Sequence, residues 1–217
     1  MDLKVRATDT LKEGTQKQHR MIDRHPLMHR VVAKDLTRVE YGQILAALYR
    51  WHELLTPMLS SLKLDPDFYA LDKLLMLERD LSSLPGTQIA SQISSQISSQ
   101  INSQINTQIM PLQPSDEAFA LGVLYVVEGS TLGAQFIAPR VELSLRSRQL
   151  THYYRMYGDA VWANWTTTQR ILNQRLNTDA LAQRALMGAN EAFALLLNII
   201  NTQTSEFKCE ALGVGAM

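Results

Sequence analysis

A glycine-rich stretch near the middle of the chain is the most unusual candidate for a binding surface. Four residues with small side chains or none lie there at positions i, i+1, i+4 and i+5: Gly129, Ser130, Gly133 and Ala134. On a helix this spacing places them on one narrow face. Each glycine costs a helix about 1 kcal/mol relative to alanine, but a missing Cβ lets another body approach the backbone. The face therefore suits either a second helix or a flat ligand.

The second candidate is His19, in the predicted first helix. It shares one face of that helix with Leu11, Thr15 and Ile22. A histidine on an apolar face is more often a hydrogen-bonded core residue, but a neutral imidazole can also bind a metal or haem iron. The spacing leaves both interpretations open. A flat apolar cofactor held between two helices accounts for His19 and the glycines together.

The other histidines and the single cysteine are weaker candidates. His25 and His29 have the i, i+4 spacing of two zinc ligands, but Pro26 lies between them and no third ligand is near in the sequence. We therefore interpret both as structural or surface residues. Cys209 lies in a predicted C-terminal tail, with no context for Cys–His catalysis. The chain contains no phosphate-binding loop, dinucleotide fingerprint or serine nucleophile elbow.

The elements that must position these residues are helices, since strand signals are essentially absent. Apolar periodicity and breaker residues predict helices at about 8–23, 27–33, 38–62, 67–84, 116–148, 151–157, 160–176 and 179–207. Predicted N-terminal caps are Thr8 or Asp9, a capping box of Thr37 and Glu40, and then Ser115, Asp159 and Thr178. The prediction is an all-α, single-domain bundle over residues 1–217, with ligand sites between helices.

Composition limits the partners and the compartment. The 217 residues carry 21 basic and 21 acidic side chains, and this balance argues against nucleic acid or an anionic membrane as the main partner. One cysteine excludes a disulfide within the chain. The N-terminus lacks the apolar core of a signal peptide, and no apolar run is long enough to span a bilayer. We expect a cytoplasmic protein.

A repetitive segment interrupts the helical pattern. Residues 88–109 repeat a Gln-Ile-Ser/Asn-Ser/Thr unit without charge, proline or glycine. Isoleucine at every fourth position drifts around an α-helix, so the stripe would leave any fixed partner. The polar remainder buries too little surface to order itself. We interpret residues 87–110 as a poorly ordered surface insertion.

Two stretches resemble a known family. The segment from Leu11 to His19 resembles the N-terminal helix of haem oxygenases, and Leu121–Ile137, centred on Tyr-Val-Val-Glu-Gly-Ser-Thr-Leu-Gly-Ala-Gln, resembles the distal helix of their bacterial members. Leu75–Leu81 and the region around Ala192 and Phe193 are also similar. The resemblance covers nearly the whole chain except the repeat. It implies a fold in which haem lies between a proximal N-terminal helix and a kinked, glycine-rich distal helix.

The resemblance also implies an activity. Haem is both cofactor and substrate, and O₂ with electrons from a ferredoxin or reductase opens the ring to biliverdin, releasing iron and CO. The bilin then serves an acceptor such as a phytochrome, or the reaction serves iron acquisition. The alternative is a non-catalytic haem carrier or sensor on the same fold, because Ser130 stands where animal-type members have a distal aspartate. A non-haem metal oxidase of related architecture is a more remote alternative.

The resemblance assigns roles at the two faces of the haem to five residues of this chain. His19 is the proximal iron ligand. The backbone at Gly129 and Gly133 presses on the opposite face of the haem and bends bound O₂ toward a ring carbon. Ser130 can hold a water but supplies no charge. Ala134, where the family often has another glycine, brings a methyl group closer to the haem.

At the haem edge and wall, the resemblance assigns further residues. Lys12, with Thr15 beside it, lies near a haem propionate, where a cation suits a carboxylate. Arg170 or Arg175 has the same role from the penultimate helix. Phe193 lines the pocket.

Overall fold

Seven α-helices form the parts of the chain that the computed structural model describes, residues 6–64, 73–84 and 116–211, with side chains as far as Gln203. They are α1 (Ala7–Arg24), α2 (Pro26–His29), α3 (Arg38–Ser60), α4 (Lys73–Ser82), α5 (Glu117–Leu145), α6 (Val161–Arg175) and α7 (Asp179–Ala211). Short 3₁₀ turns cover Arg30–Val32 and Gly158–Ala160. No strand occurs within those ranges, and the predicted all-α class is confirmed. The 88–109 repeat lies outside them.

Two of the predicted helix starts are confirmed. The Thr37 hydroxyl accepts from the Glu40 N–H at 3.2 Å, and the Glu40 carboxylate accepts from the Thr37 N–H at 2.9 Å, which completes the capping box of α3. The Thr178 hydroxyl accepts from the Leu181 N–H at 3.3 Å at the start of α7. Both caps depend only on residues three positions apart, so local sequence suffices to predict them.

Two other predicted caps are wrong. Helix α1 already begins at Ala7, so Thr8 and Asp9 lie inside its first turn and cannot cap it. Helix α5 is capped by Asp116, whose carboxylate accepts from the Phe119 N–H at 2.8 Å, where we predicted Ser115, which lies outside the described residues. Two adjacent residues that both cap well leave the exact start of a helix undetermined by sequence.

Helix boundaries in the C-terminal half also differ from prediction. The segment from Thr151 to Tyr157 forms turns, where we predicted a short helix. Asp159 lies within the following 3₁₀ turn, and α6 has no side-chain cap. Helix α5 continues through Pro139 to Leu145, so the proline does not end it. Helix α7 extends to Ala211, which places Lys208–Ala211 in a helix and not in the predicted frayed tail.

Helix α5 is the central element, and its tightest contact is with α7. A Cβ built on Gly122 would lie 1.8 Å from the carbonyl oxygen of Ala185. A Cβ built on Gly188 of α7 would lie 2.1 Å from the carbonyl oxygen of Phe119. Each helix thus has a glycine at the position where the backbone of the other helix packs directly against it. Gly122 is therefore explained by helix packing.

Helix α5 is also the one helix in the described ranges that is long and apolar enough to cross a membrane. However, 56% of its apolar window is buried inside the protein. Leu121, Val123, Leu124 and Val127 are among the residues of α5 that are at most 1% exposed. Because a core helix passes the same test of length and composition, the apolar character of α5 is accounted for by its packing.

Candidate functional site

The four residues of the predicted flat face have different surroundings. Gly133 is exposed, and a Cβ built on it meets no heavy atom within 4 Å. Ser130 is exposed as well. At Gly129 an added Cβ would lie 3.5 Å from the Cη2 atom of the Trp165 ring on α6. Ala134 is 7% exposed and belongs to the hydrophobic core. The face is therefore open at Ser130 and Gly133, and Trp165 lies beside it at Gly129. Ala134 differs from the prediction, because its side chain is buried in the core and does not lie on the open face.

His19 is accessible on α1. Its side chain is 63% exposed, whereas Thr15, one turn earlier, is buried. The imidazole Nδ1 lies 2.9 Å from a carboxylate oxygen of Asp23. A carboxylate can only accept, so Nδ1 carries a proton, and in the neutral form of the imidazole the lone pair is on Nε2. The ring also meets the ring of Phe193 on α7 edge-on, with centroids 6.1 Å apart.

Thr15 is the point where α1 meets α5. Its hydroxyl donates to the Leu11 carbonyl at 2.7 Å and lies close to Tyr125. Burial raises the pKa of Tyr125, and the nearby Thr15 hydroxyl opposes that shift. His19 lies one turn beyond Thr15, and Gly129 lies one turn beyond Tyr125. The exposed side chain of Lys12 lies one turn before Thr15 on α1.

Arg175 has a structural role far from this junction. Its guanidinium donates to Glu117 at 2.7 Å and to the Lys63 carbonyl at 2.9 Å. Glu117 is the first residue of α5. With a rise of 1.5 Å per residue, it lies about 18 Å along the helix axis from Gly129. The structure therefore contradicts the expectation that Arg175 lies at the edge of a ligand beside Gly129. Arg170 stays a prediction.

Three buried polar groups meet immediately behind Gly129. The Lys73 ammonium on α4 donates to Glu128 at 2.7 Å and to the Tyr157 hydroxyl at 2.8 Å. The Tyr157 hydroxyl donates to the second Glu128 oxygen at 3.0 Å. The Lys73 and Glu128 side chains are only 5% and 2% exposed. Buried charges are stable only when they are paired and hydrogen-bonded, so this cluster fixes α4 and the turn before α6 to α5.

A second buried carboxylate, Asp80 of α4, holds the turn that follows α5. It accepts from the backbone N–H groups of His152 and Tyr153, each at 2.9 Å. Its third partner is the His152 Nδ1 at 2.7 Å. Burial raises the pKa of Asp80, and these hydrogen bonds oppose the rise. The backbone of Tyr153 is thereby fixed relative to α4.

Tyr153 pairs with a buried histidine in the core. Its hydroxyl lies 2.8 Å from Nε2 of His52 on α3, and it lies close to Ser130. Burial, and then the nearby charge of Lys73, hold the pKa of His52 well below its usual value, so the imidazole is neutral. Burial raises the pKa of Tyr153, so its phenol is protonated. Sequence analysis gave neither residue a role, because no motif connects them.

His25 has the structural role expected for it. Its Nδ1 accepts from the Leu27 N–H at 3.2 Å and caps α2. Its Nε2 lies 3.2 Å from the side-chain oxygen of Asn201 on α7. The ring therefore connects α2 to the last helix.

Comparison with known proteins places the chain in a family. The model of the family described as "Heme oxygenase" matches residues 5–202. The chain belongs to the haem oxygenase family. It is 39% identical over 90 residues to the haem oxygenase of Xanthomonas campestris pv. campestris (strain 8004). That match covers 39% of this chain and 52% of the relative, so it spans about half the relative's length.

Solved structures show the same fold. Haem oxygenase-1 from the cyanobacterium Synechocystis sp. PCC6803, in complex with haem, has a TM-score of 0.71 at 19% identity, covering 97% of each chain. The haem oxygenase of Leptospira interrogans has a TM-score of 0.65 at 17% identity, covering 90% of this chain and 98% of that one. A domain of unknown function from Shewanella denitrificans OS217 has a TM-score of 0.65 at 13% identity, covering 97% of each chain. These likenesses confirm the predicted haem-oxygenase-like bundle.

Proposed function

We propose that this protein binds haem between α1 and α5 and cleaves it to biliverdin, releasing iron and CO. O₂ and electrons from an external ferredoxin or reductase drive the reaction in the cytoplasm. The observation that carries the proposal is the proximity of Thr15 to Tyr125, because His19 lies one turn beyond Thr15 on α1 and Gly129 one turn beyond Tyr125 on α5. Family membership supports haem as the ligand.

The residues on α1 suit the iron side of a haem. His19 is accessible, and in the neutral imidazole the Nε2 lone pair is available because Nδ1 keeps its proton and donates to Asp23. A carboxylate on the second nitrogen holds a ligand imidazole in one orientation and makes it more basic. When haem is bound, its iron supplies the O₂ binding and electron transfer. His19 holds the iron, Asp23 orients His19, and Phe193 supports the ring from the side.

The residues on α5 suit the opposite face. Gly133 has open space where a side chain would stand, and at half-buried Gly129 the Trp165 ring would lie 3.5 Å from an added Cβ. A flat ring can therefore approach the helix backbone, which leaves little room for a bulky group between them. Ser130 is the exposed polar side chain beside these glycines. With haem bound, the backbone at these glycines would exclude bulky groups from that face, and Ser130 would hold a water there.

The ends of the pocket suit the rest of the haem. The exposed ammonium of Lys12 lies on α1 one turn from Thr15, and it is free to extend toward a propionate. A cation paired with a carboxylate at a pocket edge fixes orientation more than affinity. Ala134 is buried in the core, so in this proposal its methyl group supports α5 from behind.

The reaction itself is the first test. We expect the full chain, loaded with haemin and given ferredoxin, its reductase, NADPH and O₂, to lose its Soret band while a bilin band grows. Catalase is included, and haemin without protein serves as the control for non-enzymatic ring opening. Chromatography of the product identifies the biliverdin isomer. A persistent Soret band without bilin would contradict the proposal. It would favour the haem carrier or sensor, an alternative that is consistent with a hydroxyl at Ser130 in place of an acidic side chain.

Asp23 provides a second prediction. Replacing Asp23 with asparagine keeps the shape but removes the charge beside His19, so we expect haem affinity to fall about tenfold. The iron–histidine stretching frequency of the ferrous complex should also fall, because the imidazole becomes less basic. Asp9→Asn is the matched control, since Asp9 lies on the same helix and pairs with Arg6. Equal affinity and frequency in Asp23→Asn and Asp9→Asn would show that Asp23 does not support the ligand.

A further inference from the structure

The buried cluster of Lys73, Glu128 and Tyr157 holds α5 on the side away from its open face. Lys73 Nζ donates to Oε1 of Glu128 at 2.7 Å, and the Tyr157 hydroxyl donates to Oε2 at 3.0 Å. Lys73 also donates to the Tyr157 hydroxyl at 2.8 Å, which closes a triangle. The two oxygens of one carboxylate are therefore held by two separate segments, α4 and the turn before α6.

Glu128 lies at the level of the proposed ligand face and points away from it. At 100° per residue, Ser130 projects about 200° and Gly133 about 140° around the helix axis from Glu128. Ser130 and Gly133 are exposed, whereas the Glu128 side chain is 2% exposed. The cluster therefore holds the back of α5 where the front of the helix is open.

This cluster tolerates less displacement of α5 than apolar packing does. The Glu128 carboxylate lies about 5–6 Å from the helix axis, so a rotation of α5 by roughly 20° would move it about 2 Å. That movement would break both of its hydrogen bonds and leave buried charges unpaired, which is strongly unfavourable. The contacts of buried apolar neighbours such as Leu124 and Val127 are non-directional. The cluster is thus what selects one rotation of the helix.

We propose that the three residues of this cluster are positioning residues: they fix the rotation of α5, and with it the place of Gly129 and Gly133 against a flat ligand. Under the proposed function, the cluster sets which carbon of the haem ring faces the space beside these glycines. Only this consequence for ring opening rests on the proposed function. The fixed rotation of α5 is a property of the ligand-free protein.

Asp80 supports the cluster from the same helix. It lies seven positions after Lys73, on the same face of α4. It accepts from the backbone N–H groups of His152 and Tyr153, which fixes the segment that carries Tyr157 one turn later. Helix α4 therefore determines where both partners of the Glu128 carboxylate lie.

Stability and positioning can be separated by replacing the polar groups with apolar ones. Glu128→Gln leaves the buried Lys73 without its counter-ion, so we expect a lower urea midpoint. The triple variant Lys73→Met, Glu128→Leu, Tyr157→Phe removes the charges and the hydroxyl at similar volume. We expect its midpoint to equal or exceed that of the wild type, because apolar replacement of a buried ion pair is often neutral or stabilising.

The first readout is backbone ¹⁵N relaxation dispersion in the ligand-free protein, which reports motion on the microsecond to millisecond timescale. We expect sharp amide resonances at Gly129 and Gly133 in the wild type and broadened or doubled ones in the triple variant. The matched control is Arg175→Gln with Glu117→Gln, which removes a more exposed ion pair at the start of α5 and should leave both resonances sharp. Sharp resonances in a stable triple variant would overturn the proposal.

Two single variants decide the question if the triple variant does not fold. Glu128→Gln and Tyr157→Phe each remove part of the triangle, and we expect broadening at Gly129 in both. Tyr154→Phe removes a buried hydroxyl outside the cluster and should have no such effect. Sharp Gly129 resonances in both single variants would count against the positioning role.

The second readout uses the haem complex. We expect one narrow C–O stretching band in the wild-type ferrous CO complex and a broader or split band in the triple variant, with a changed ratio of biliverdin isomers. Haem affinity should stay nearly unchanged, because His19 is untouched. Identical bands and isomer ratios would overturn the link to ring opening. Absence of haem binding by the wild type would overturn the proposed function and leave the relaxation result to decide the positioning role.

Discussion

Replacing His19 with alanine is expected to remove iron coordination and to lower haem affinity by at least about 100-fold, since loss of a supporting partner alone costs 10–100-fold. His19 is the accessible imidazole on the face of α1 that includes Thr15, and Asp23 already directs its Nε2 lone pair outward. Any haem that remains should be five-coordinate or high-spin. Absorbance titration with haemin and resonance Raman spectra of the ferrous complex measure both effects.

A matched control and a rescue make the His19 prediction specific. His29→Ala removes another exposed histidine, on the neighbouring helix α2, and should leave haem affinity unchanged. Added imidazole should restore a six-coordinate spectrum in His19→Ala, because the missing side chain leaves a cavity of that size. A wild-type spectrum in His19→Ala without imidazole would assign the iron ligand to another residue.

Replacing Gly122 with alanine is expected to destabilise the fold by about 3 kcal/mol or more, since overpacking against rigid backbone is costly. The added Cβ would lie 1.8 Å from the Ala185 carbonyl oxygen and 2.6 Å from its carbonyl carbon. No side-chain rotation relieves a clash with backbone, so α5 and α7 must move apart. Urea denaturation of the ligand-free protein, followed by circular dichroism, measures the loss as a lower midpoint.

The same substitution at Gly133 is the matched control, because it adds an identical methyl group to the same helix. There the Cβ meets no atom within 4 Å, so stability should stay equal or rise by up to about 1 kcal/mol. Under the proposed function, however, Gly133→Ala should weaken haem binding or alter the position of ring opening. A Gly122→Ala protein as stable as wild type would show that α5 and α7 tolerate separation at this point.

Much of the fold was predictable because its signals are local. Apolar periodicity predicts α1, α3, α5, α6 and α7 within a few residues of their observed ranges. The capping box at Thr37 depends on a partner three residues away, and it is confirmed. The wrong predictions fall where local signals compete: Asp116 and Ser115 both suit a cap, and the aromatic segment from Thr151 to Tyr157 forms turns whose backbone N–H groups bind Asp80.

The glycines of α5 show the limit of sequence reasoning most clearly. Gly122, Gly129 and Gly133 carry the same intrinsic preferences, and the sequence marks all three only as unusual within a helix. The tertiary structure separates them: Gly122 meets the backbone of Ala185, Gly129 meets the Trp165 ring, and Gly133 meets open space. What surrounds a missing Cβ is determined by neighbouring helices, which no local pattern specifies.

The sequence by itself determined the helical class, the family resemblance and the two helices, carrying His19 and Gly129, that define the proposed site. Only the tertiary structure revealed the polar groups behind that site. Lys73 and Glu128 are 55 positions apart, and His52 and Tyr153 are 101 apart. A hydrogen bond between side chains depends on the final packing of distant helices, whereas helix formation depends on neighbours within one or two turns.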